Sequence, residues 1–369
     1  MLININPKIL IWAREERFGD MSLDDVSSKL GIATANLAQW EKDGLEVPFE
    51  KLALIAKIYK RQTAIFFLLD VPPKTKKIKD YRNFALVNKK FYPDALLAIR
   101  RTERYLKVAR ELEDVSTWKQ RYQWLKDFNG RKENIKKEST YLRKLLIENS
   151  DIQIGKGRSD EAFRYWRSKI EEKLNVFVFQ FSMPDTELDG FSYAFDVFPY
   201  AIVLNNRKKS VRKIFTLFHE LAHILKHNPG ACNQDFSLME DHSNMELECN
   251  SFAGEFLVPS QSIKIANTVD EIFNFAKSFN ISGEVYLRRM LEEQKIDKVC
   301  FFRLLDEVRV RSNSLPKKQN KGPRSMIVQS KSTRGNKFFS LITNAATMNK
   351  ISFSSASDLL GLKASNIRL

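Results

Sequence analysis

The chain of 369 residues carries a formal net charge of +16 and is 43% hydrophobic, which predicts two or three globular domains and favours a polyanionic partner such as nucleic acid. Its apolar runs end well short of the roughly 20 residues that a membrane-spanning helix needs, so we expect no membrane contact. Three scattered cysteines exclude a disulfide framework, and with no recognisable secretion signal at the N-terminus they predict a cytoplasmic protein.

Residues 1–73 predict a small all-α domain. In SLDDVSSKLGIATANLAQW, Ser22 is placed to cap a first helix, Gly31 to make a sharp turn, and Thr34 to cap a second helix. Trp40 gives the second helix an inward face. Helix, short turn, helix is the motif whose second helix enters the major groove of DNA.

The segments SLDDVSSKLGIATANLAQWEKDG and VPFEKLALIAKIYK resemble the Cro/C1 (XRE) helix-turn-helix family of phage repressors. The resemblance implies that double-stranded DNA is contacted by the second helix, at Ala33, Thr34, Ala35, Asn36 and Gln39. Asn36 and Gln39 each have an amide that can pair with adenine. Because this helix carries little positive charge, a helical module that dimerises or holds a partner protein remains an alternative.

Residues 74–157 begin with the basic segment PPKTKKIKDYR and predict a linker followed by a helical connector. ALLAIRRTERYLKVARELEDV has apolar residues at helical spacing, and WKQRYQWL continues the pattern. The aromatic side chains of Trp118, Tyr122 and Trp124 could stack on bases, but such a stripe favours a place in the core.

Residues 158–300 predict a small α+β domain. The helix DEAFRYWRSKIEEKL leads into three β-forming runs, NVFVFQF, GFSYAFD and YAIVLNN. Three strands before one long helix predict a small antiparallel sheet packed on that helix. The last strand, YAIVLNN, is predicted to receive an extended peptide by pairing at the sheet edge.

The long helix is expected from Val211 to His227, because Ile214, Phe218, Leu221 and Leu225 form an apolar stripe. His219 and His223 are four residues apart, so both imidazoles reach one ion from the same face. Glu220 lies next to them. The pattern H-E-x-x-H thus predicts two neutral nitrogen ligands and a carboxylate suited to accept a proton from water, in preference to a structural histidine pair.

A catalytic zinc ion needs a third protein ligand and an open position. The third histidine of metzincins would fall at Pro229, which excludes that class, and His227 would have to bend back along its own helix. The next predicted helix, NMELECNSFAGEFLVP, offers Glu246, with Asn250 on the same face to orient a ligand. Such a ligand set also accepts manganese or iron.

FTLFHELAHIL followed by E-x-x-C-N-x-F-A-G-E-F-L-V-P resembles the ImmA/IrrE family of metallopeptidases. The resemblance implies a zincin-like, gluzincin-like zinc site with His219, His223 and Glu246 as ligands and Glu220 as general base. Glu248 is the runner-up for the third ligand.

Two further positions bear on the resemblance to this family. Cys249 stands where the family usually has alanine, and we interpret it as a small buried residue and not as a ligand. Upstream, KDYRNF resembles the segment that joins an XRE domain to this peptidase in fused members. The likeness covers about residues 1–295.

Relatives in this family cleave a helix-turn-helix repressor. The resemblance therefore implies a regulatory zinc-dependent endopeptidase that cleaves a repressor or antitoxin and derepresses a mobile-element, prophage or stress-response operon. One alternative is a DNA-binding transcription regulator whose metal site is structural or inactive; Glu220 favours the enzyme, because a closed structural site has no use for it. Another is that the N-terminal domain mimics the substrate and docks it. A homodimer remains an option.

Residues 301–369 predict a basic region with a small helical unit. No acidic residue falls between Glu307 and Asp358, which predicts either a solvated tail or a nucleic-acid contact. The segment ISFSSASDLLGLKASNI is similar to a short helix-turn-helix unit but is too short to assign DNA reading. The expected fold class is therefore multidomain and mainly α, with an N-terminal all-α helix-turn-helix domain and a small α+β zincin-like peptidase domain.

Overall fold

A computed structural model describes residues 1–19, 21–72, 93–129, 134–147, 157–184, 188–194, 198–226, 231–232, 244–314 and 325–367. The chain divides into two units, Met1–Arg100 and Arg101–Leu369. Its mainly helical architecture with small sheets confirms the predicted fold class at that level. Within the described ranges, no helix has the length and apolar character needed to cross a bilayer.

The first unit packs short helices around one hydrophobic core. The core side chains include Ile9, Leu10, Val26, Leu37 and Ile55, all 0% exposed. The elements are β1 (Leu2–Ile3), α1 (Pro7–Phe18), α2 (Leu23–Leu30), α3 (Thr34–Asp43), β2 (Val47–Pro48), α4 (Phe49–Tyr59) and a 3₁₀ turn (Thr63–Phe67). Strands β1 and β2 pair antiparallel.

Capping fixes the ends of α2. The Ser22 hydroxyl accepts a hydrogen bond from the Asp25 N–H at 3.1 Å, and Gly31 ends the helix at φ 62°, a left-handed conformation that glycine adopts without strain. The predicted cap of α3 is wrong. The carbonyl of Ala33 accepts the first N–H groups of α3, so Ala33 occupies the cap position and Thr34 is already helical.

The second unit contains the remaining elements. Its helices before the sheet are α5 (Pro93–Leu112), within which the division between the units falls, α6 (Val115–Arg121), α7 (Gln123–Asn129), α8 (Ile135–Leu146) and α9 (Ser159–Lys173). The strands are β3 (Phe177–Phe181), β4 (Gly190–Tyr193), β5 (Ala201–Asn205) and β6 (Ala231–Cys232). The later helices are α10 (Ser210–Leu225), α11 (Asn244–Leu257), α12 (Val269–Phe279), α13 (Gly283–Glu292), α14 (Lys298–Ser314), α15 (Met326–Thr347) and α16 (Phe353–Leu360).

The four strands form one mixed sheet in the order β3-β5-β4-β6. Strand β5 runs parallel to β3 and antiparallel to β4, so the predicted antiparallel sheet is wrong for the β3–β5 pair. The reason is that β4 pairs with the far side of β5 and does not separate it from β3. Because β5 is buried between two neighbours, the predicted edge pairing of a peptide with YAIVLNN is also wrong.

The aromatic residues of α6 and α7 belong to the core, as predicted. Trp118 and Tyr122 are each 1% exposed and Trp124 is 8% exposed. The Tyr122 hydroxyl donates to the Asn175 carbonyl at 2.9 Å and accepts from the Tyr200 N–H at 2.8 Å. This side chain therefore satisfies backbone groups next to β3 and β5 that burial would otherwise leave unpaired.

Helix α15 packs on β3, which contradicts a solvated tail for this part of the basic region. The helix breaks at Gly335, where φ is 81° and ψ is 155°. At the break, the buried Glu171 carboxylate accepts from the Asn336 N–H at 3.0 Å, and Arg167 donates to the Ser332 carbonyl at 2.6 Å. Arg167 and Glu171 thus provide hydrogen-bond partners for backbone groups that lack a helical partner at the break.

Helix α16 begins as α2 does. The Ser352 hydroxyl accepts from the Ser355 N–H at 3.0 Å, and Gly361 ends the helix at φ 61°. Within the described residues, only a short 3₁₀ turn, Ala364–Asn366, follows it. The predicted likeness to a helix-turn-helix unit thus extends to one helix and its turn.

The break at Gly335 predicts a strong requirement for glycine. A β-carbon there would overlap the Glu171 carboxylate and lie 3.1 Å from the Val178 carbonyl, at a backbone conformation that is almost restricted to glycine. We expect Gly335→Ala to lower the free energy of unfolding by about 2–5 kcal/mol, measured by urea denaturation.

Gly157 provides the matched control for this substitution. Its φ is also positive, at 75°, but a β-carbon there would meet only the flexible side chain of Lys277. Gly157→Ala should cost only about 1–2 kcal/mol, the ordinary penalty of left-handed backbone. Equal losses in the two variants would show that the contact with Glu171 has no part in the effect.

Candidate metal centre

Helix α10 is buried over most of its length. Every residue from 214 to 225 is buried, including the predicted apolar stripe and the side chains on the other faces. The helix packs on β4 and β5, and also against α9 and α11. It ends at Leu225, whereas the predicted end, His227, and the fourth histidine, His242, lie outside the described residues.

The start of α10 is fixed against β4. The buried Asp189 carboxylate pairs with Lys208 at 3.0 Å and accepts from the Arg212 Nε at 2.9 Å. Next to it, a β-carbon at Gly190 would lie 2.7 Å from the Thr216 methyl carbon. The absence of a side chain at Gly190 therefore lets the helix approach the sheet closely.

An aromatic cluster joins α10 to α11. The rings of Phe218 and Phe256 stack with centroids 4.1 Å apart, and the ring of Trp166 from α9 lies edge-on at 5.1 Å and 5.2 Å from them. Beyond the stack, Lys226 pairs with Glu248 at 2.9 Å. Aromatic pairs contribute about 1 kcal/mol each beyond their buried area, so this cluster sets the separation of the two helices.

Three predicted ligands meet at the contact between α10 and α11. The Nε2 atoms of His219 and His223 are 3.2 Å apart. The two oxygens of Glu246 lie 3.3 Å from these nitrogens, one oxygen facing each ring. Both histidines are almost fully buried, while the Glu246 side chain is 30% exposed. The ligand cluster is therefore buried on the side of the two histidines and accessible to solvent on the side of Glu246.

The spacing of these atoms fits a zinc ion. Ligands at about 2.0–2.1 Å on the corners of a tetrahedron lie about 3.3 Å from one another. The separation of 3.2 Å between the two nitrogens, and of 3.3 Å from each nitrogen to one Glu246 oxygen, is close to that value. Two neutral imidazoles and a carboxylate are also the ligand types that zinc accepts. His219, His223 and Glu246 are the residues that would hold the ion.

The charges in the cluster depend on one another. Burial lowers the pKa of His219. Burial also acts to lower the pKa of His223, but hydrogen bonds with Cys249 and Glu246 raise it to about 11. Burial acts to raise the pKa of Glu246, yet its hydrogen bonds with both histidines hold it well below the usual range. A metal ion would compete with protons for these side chains, because histidine must be neutral and glutamate ionised to act as ligands.

Two further predicted residues lie beside the three ligands. Glu220 is 0% exposed, and its charge contributes to the raised pKa of His223. The side chain of Asn250 interacts with His219, which places it where it can orient that imidazole. The roles of Glu220 as general base and of Asn250 as an orienting residue stay predictions.

The alternative third ligand is directed elsewhere. Glu248 is 49% exposed on its side chain and forms the ion pair with Lys226. Cys249 is fully buried, as predicted, but it also contacts His223. Burial raises the pKa of the Cys249 thiol, which favours the protonated form. The contact between Cys249 and His223 was not predicted from the sequence. The only indication of it in the sequence is that Cys249 lies three residues after Glu246, on the same side of the helix.

Residues 171–291 match a known family model. It is the IrrE N-terminal-like domain, of the M78 peptidases. The match supports a peptidase domain of a typically metal-dependent family, and it contains α10, α11 and all three residues of the cluster. No curated protein and no solved structure matches the chain.

The family match begins well after the first unit. The helix-turn-helix resemblance of that unit thus stays a prediction, together with its predicted DNA-facing residues. Ala35, Asn36 and Gln39 are exposed on α3, and Thr34 is half-buried at its start. The Gln39 amide donates to Asp43 one turn along the helix, while Asn36 offers an exposed amide.

The geometry predicts which glutamate is needed for metal binding. We expect protein purified without added metal to contain about one zinc ion per chain, Glu246→Gln to lose it, and Glu248→Gln to keep it. Plasma mass spectrometry measures all three, and the two variants make the same chemical change two residues apart. Loss of metal in Glu248→Gln with retention in Glu246→Gln would contradict the assignment.

Proposed function

We propose that the chain is a zinc-dependent endopeptidase. The observation that carries the proposal is the spacing of about 3.3 Å among the ligand atoms of His219, His223 and Glu246, within a region that matches a peptidase family. The buried Glu220 beside them supports catalysis, because a purely structural site needs no such carboxylate.

Each residue of the cluster has a distinct task. His219 and His223 hold the metal through Nε2, Glu246 holds it through its carboxylate, and Asn250 orients the imidazole of His219. A zinc ion bound there would supply Lewis-acid activation of a water molecule and of the peptide carbonyl. Glu220 accepts a proton from the attacking water and returns it to the leaving amide nitrogen. The fourth side of the cluster, where Glu246 is 30% exposed, is where the peptide enters.

The proposed substrate is a helix-turn-helix repressor or antitoxin, and its cleavage derepresses a mobile-element, prophage or stress-response operon. The support is the combination in one chain of a metallopeptidase-type domain with a helical unit that resembles phage repressors. If the first unit binds DNA, it would bring the peptidase domain close to DNA-bound repressors. The first unit itself is proposed to bind double-stranded DNA through Thr34, Ala35, Asn36 and Gln39, with dimerisation as a further property.

One observation favours a second function. Cys249 contacts His223, so a thiol lies beside the ligand cluster at a position where a related peptidase usually has alanine. If this thiol became a fourth ligand, the site would be closed and structural. The chain would then be a DNA-binding transcription regulator with an inactive metal site.

The test of the enzyme is the loss of cleavage without loss of metal. The full chain should cut the helix-turn-helix repressor encoded beside its gene, and Glu220→Gln should lower kcat/KM by a factor of about 100 or more while keeping zinc. Glu248→Gln, the same change at an exposed site, should keep both activity and zinc. Cleavage is followed by mass spectrometry of the products. Unimpaired cleavage by Glu220→Gln would rule out its role as general base.

The DNA-binding role of the first unit is tested separately. With a duplex selected from random sequences by the full chain, we expect Asn36→Ala to weaken binding by about 1–3 kcal/mol, because an amide–adenine pair is lost. Gln62→Ala, which removes an exposed amide away from α3, should leave binding unchanged. Fluorescence anisotropy measures both. If no duplex is enriched, or both variants bind equally well, the proposed contact is absent.

A further inference from the structure

Two segments of the chain have the same local structure at a constant offset in residue number. The α2 segment, residues 22–37, contains α2 and the start of α3, and the α16 segment, residues 352–367, contains α16 and the turn after it. Each begins with a serine that caps its helix. Each helix ends at a glycine with nearly the same backbone angles, φ 62° and ψ 39° at Gly31 and φ 61° and ψ 37° at Gly361. The two helices therefore end through the same turn.

The agreement continues past the glycine. The next residue donates its N–H to a serine carbonyl at 3.1 Å in both segments, from Ile32 in the first and from Leu362 in the second. The residue after it is extended in both, with φ −60° and ψ 135° at Ala33 and φ −67° and ψ 144° at Lys363. Its carbonyl accepts the N–H three residues later, at 3.0 Å and 2.9 Å respectively. Lys363 thus occupies the position that caps α3 in the first unit.

The two segments also bury side chains at corresponding positions. Four apolar side chains are buried in each segment: Val26, Leu30, Ile32 and Leu37 in the first, and Ala356, Leu360, Leu362 and Ile367 in the second. The positions that correspond to the predicted DNA-facing residues of α3 lie on the outside. Lys363 and Ser365 are exposed, and Asn366 is partly exposed. The likeness therefore extends from the backbone to the division between inward and outward side chains.

A second cation is fixed against the turn of the α16 segment. The Nε of Arg334, on α15, donates to the Leu359 carbonyl at 2.6 Å. A β-carbon at Gly361 would lie 2.8 Å from the Arg334 Nη2, so the guanidinium lies directly beside this glycine. Lys363 follows two residues later with an exposed side chain. Two cations therefore lie at the turn that precedes the outward positions.

This positive charge is opposed by little negative charge. The α16 segment contains a single acid, Asp358, which is also the only acidic residue after Glu307 in the sequence. The Asp358 carboxylate forms an ion pair with Arg104 of α5. The α2 segment differs, because α3 carries no charged side chain before Glu41. The α16 segment therefore has the charge suited to a polyanion, which the start of α3 lacks.

We propose that the α16 segment, with Arg334 beside it, is a second surface that contacts double-stranded DNA through its phosphates. Lys363 and Arg334 supply the charge, and Ser365 and Asn366 donate hydrogen bonds to phosphate oxygens. Such contacts give affinity without reading sequence, because their strength comes largely from the release of condensed counterions. Base reading is not part of the proposal, since only the 3₁₀ turn Ala364–Asn366 follows α16 within the described residues.

The proposal rests on the proposed DNA binding of the first unit only through the likeness of the two segments. It does not involve the metal cluster, so a chain without peptidase activity can still satisfy it. The two DNA-contacting surfaces differ in what they predict. A contact by α3 depends on the sequence of the duplex, whereas a contact by the α16 segment depends on salt and is the same for every duplex.

The test is fluorescence anisotropy of the full chain with labelled DNA duplexes of several unrelated sequences, at a series of salt concentrations. We expect Lys363→Gln to make the slope of log K against log salt shallower by about 0.9, because one phosphate contact is lost. Ser365→Glu should weaken binding to every duplex by a similar factor, since it places a carboxylate beside a phosphate. Both side chains are exposed, so neither change disturbs the core.

Lys298→Gln is the matched control, since it removes the same charge from an exposed lysine at the start of α14. It should keep the wild-type slope. The proposal is overturned if the full chain binds no duplex, if Lys363→Gln keeps the wild-type slope, or if Lys298→Gln lowers the slope equally. In the last case the general positive charge of the chain would explain the binding.

Asn36→Ala separates this proposal from the one made for the first unit. If Asn36→Ala has no effect on any duplex while Lys363→Gln lowers the salt slope, the contact by α3 fails and the α16 surface stands. If Asn36→Ala weakens binding to a selected duplex while Lys363→Gln changes nothing, the α16 surface is overturned and the contact by α3 stands. Tighter binding of double-stranded RNA, with the same effect of Lys363→Gln, would overturn the choice of DNA as the partner.

Discussion

The stacking of Phe218 on Phe256 is the contact on which the candidate site depends. It joins the helix that carries both histidines to the helix that carries Glu246, with the two rings 4.1 Å apart. A shift of one turn along either helix would move a ligand by about 5.4 Å, more than a zinc site tolerates. Trp166 from α9 packs edge-on against the Phe218 ring, and Asp189 anchors the start of α10 on the sheet. The metal geometry is thus a consequence of core packing.

The second unit extends the peptidase domain beyond the range that matches the family. Helix α15 covers β3, and its break at Gly335 is held by the buried pair of Arg167 and Glu171. Removing one partner of such a pair would leave an uncompensated buried charge. The basic C-terminal region is therefore structural in part.

Local patterns in the sequence predicted the residues of the candidate site better than they predicted the arrangement of the strands. The apolar stripe of α10 places His219 and His223 on one face, and the family resemblance selects Glu246; the structure brings these three together. The order of the strands in the sheet was not predictable in this way. The residue pattern of a strand indicates whether the strand is buried, but it does not indicate which strands pair with it. The partner of Gln180 is the Ser332 carbonyl, 152 residues away, and no local period indicates such a contact. The predicted cap at Thr34 is wrong for a similar reason, because the backbone conformation, and not the residue type, places the cap at Ala33.

The measurement that tests the central claim most directly is zinc K-edge X-ray absorption of the purified full-length chain. The account predicts nitrogen and oxygen scatterers alone at about 2.0–2.1 Å, two of them with the outer-shell signature of imidazole. A sulfur scatterer at about 2.3 Å would contradict it, since Cys249 would then be a ligand and the site would be closed and structural. A spectrum without imidazole would contradict the assignment of His219 and His223 altogether.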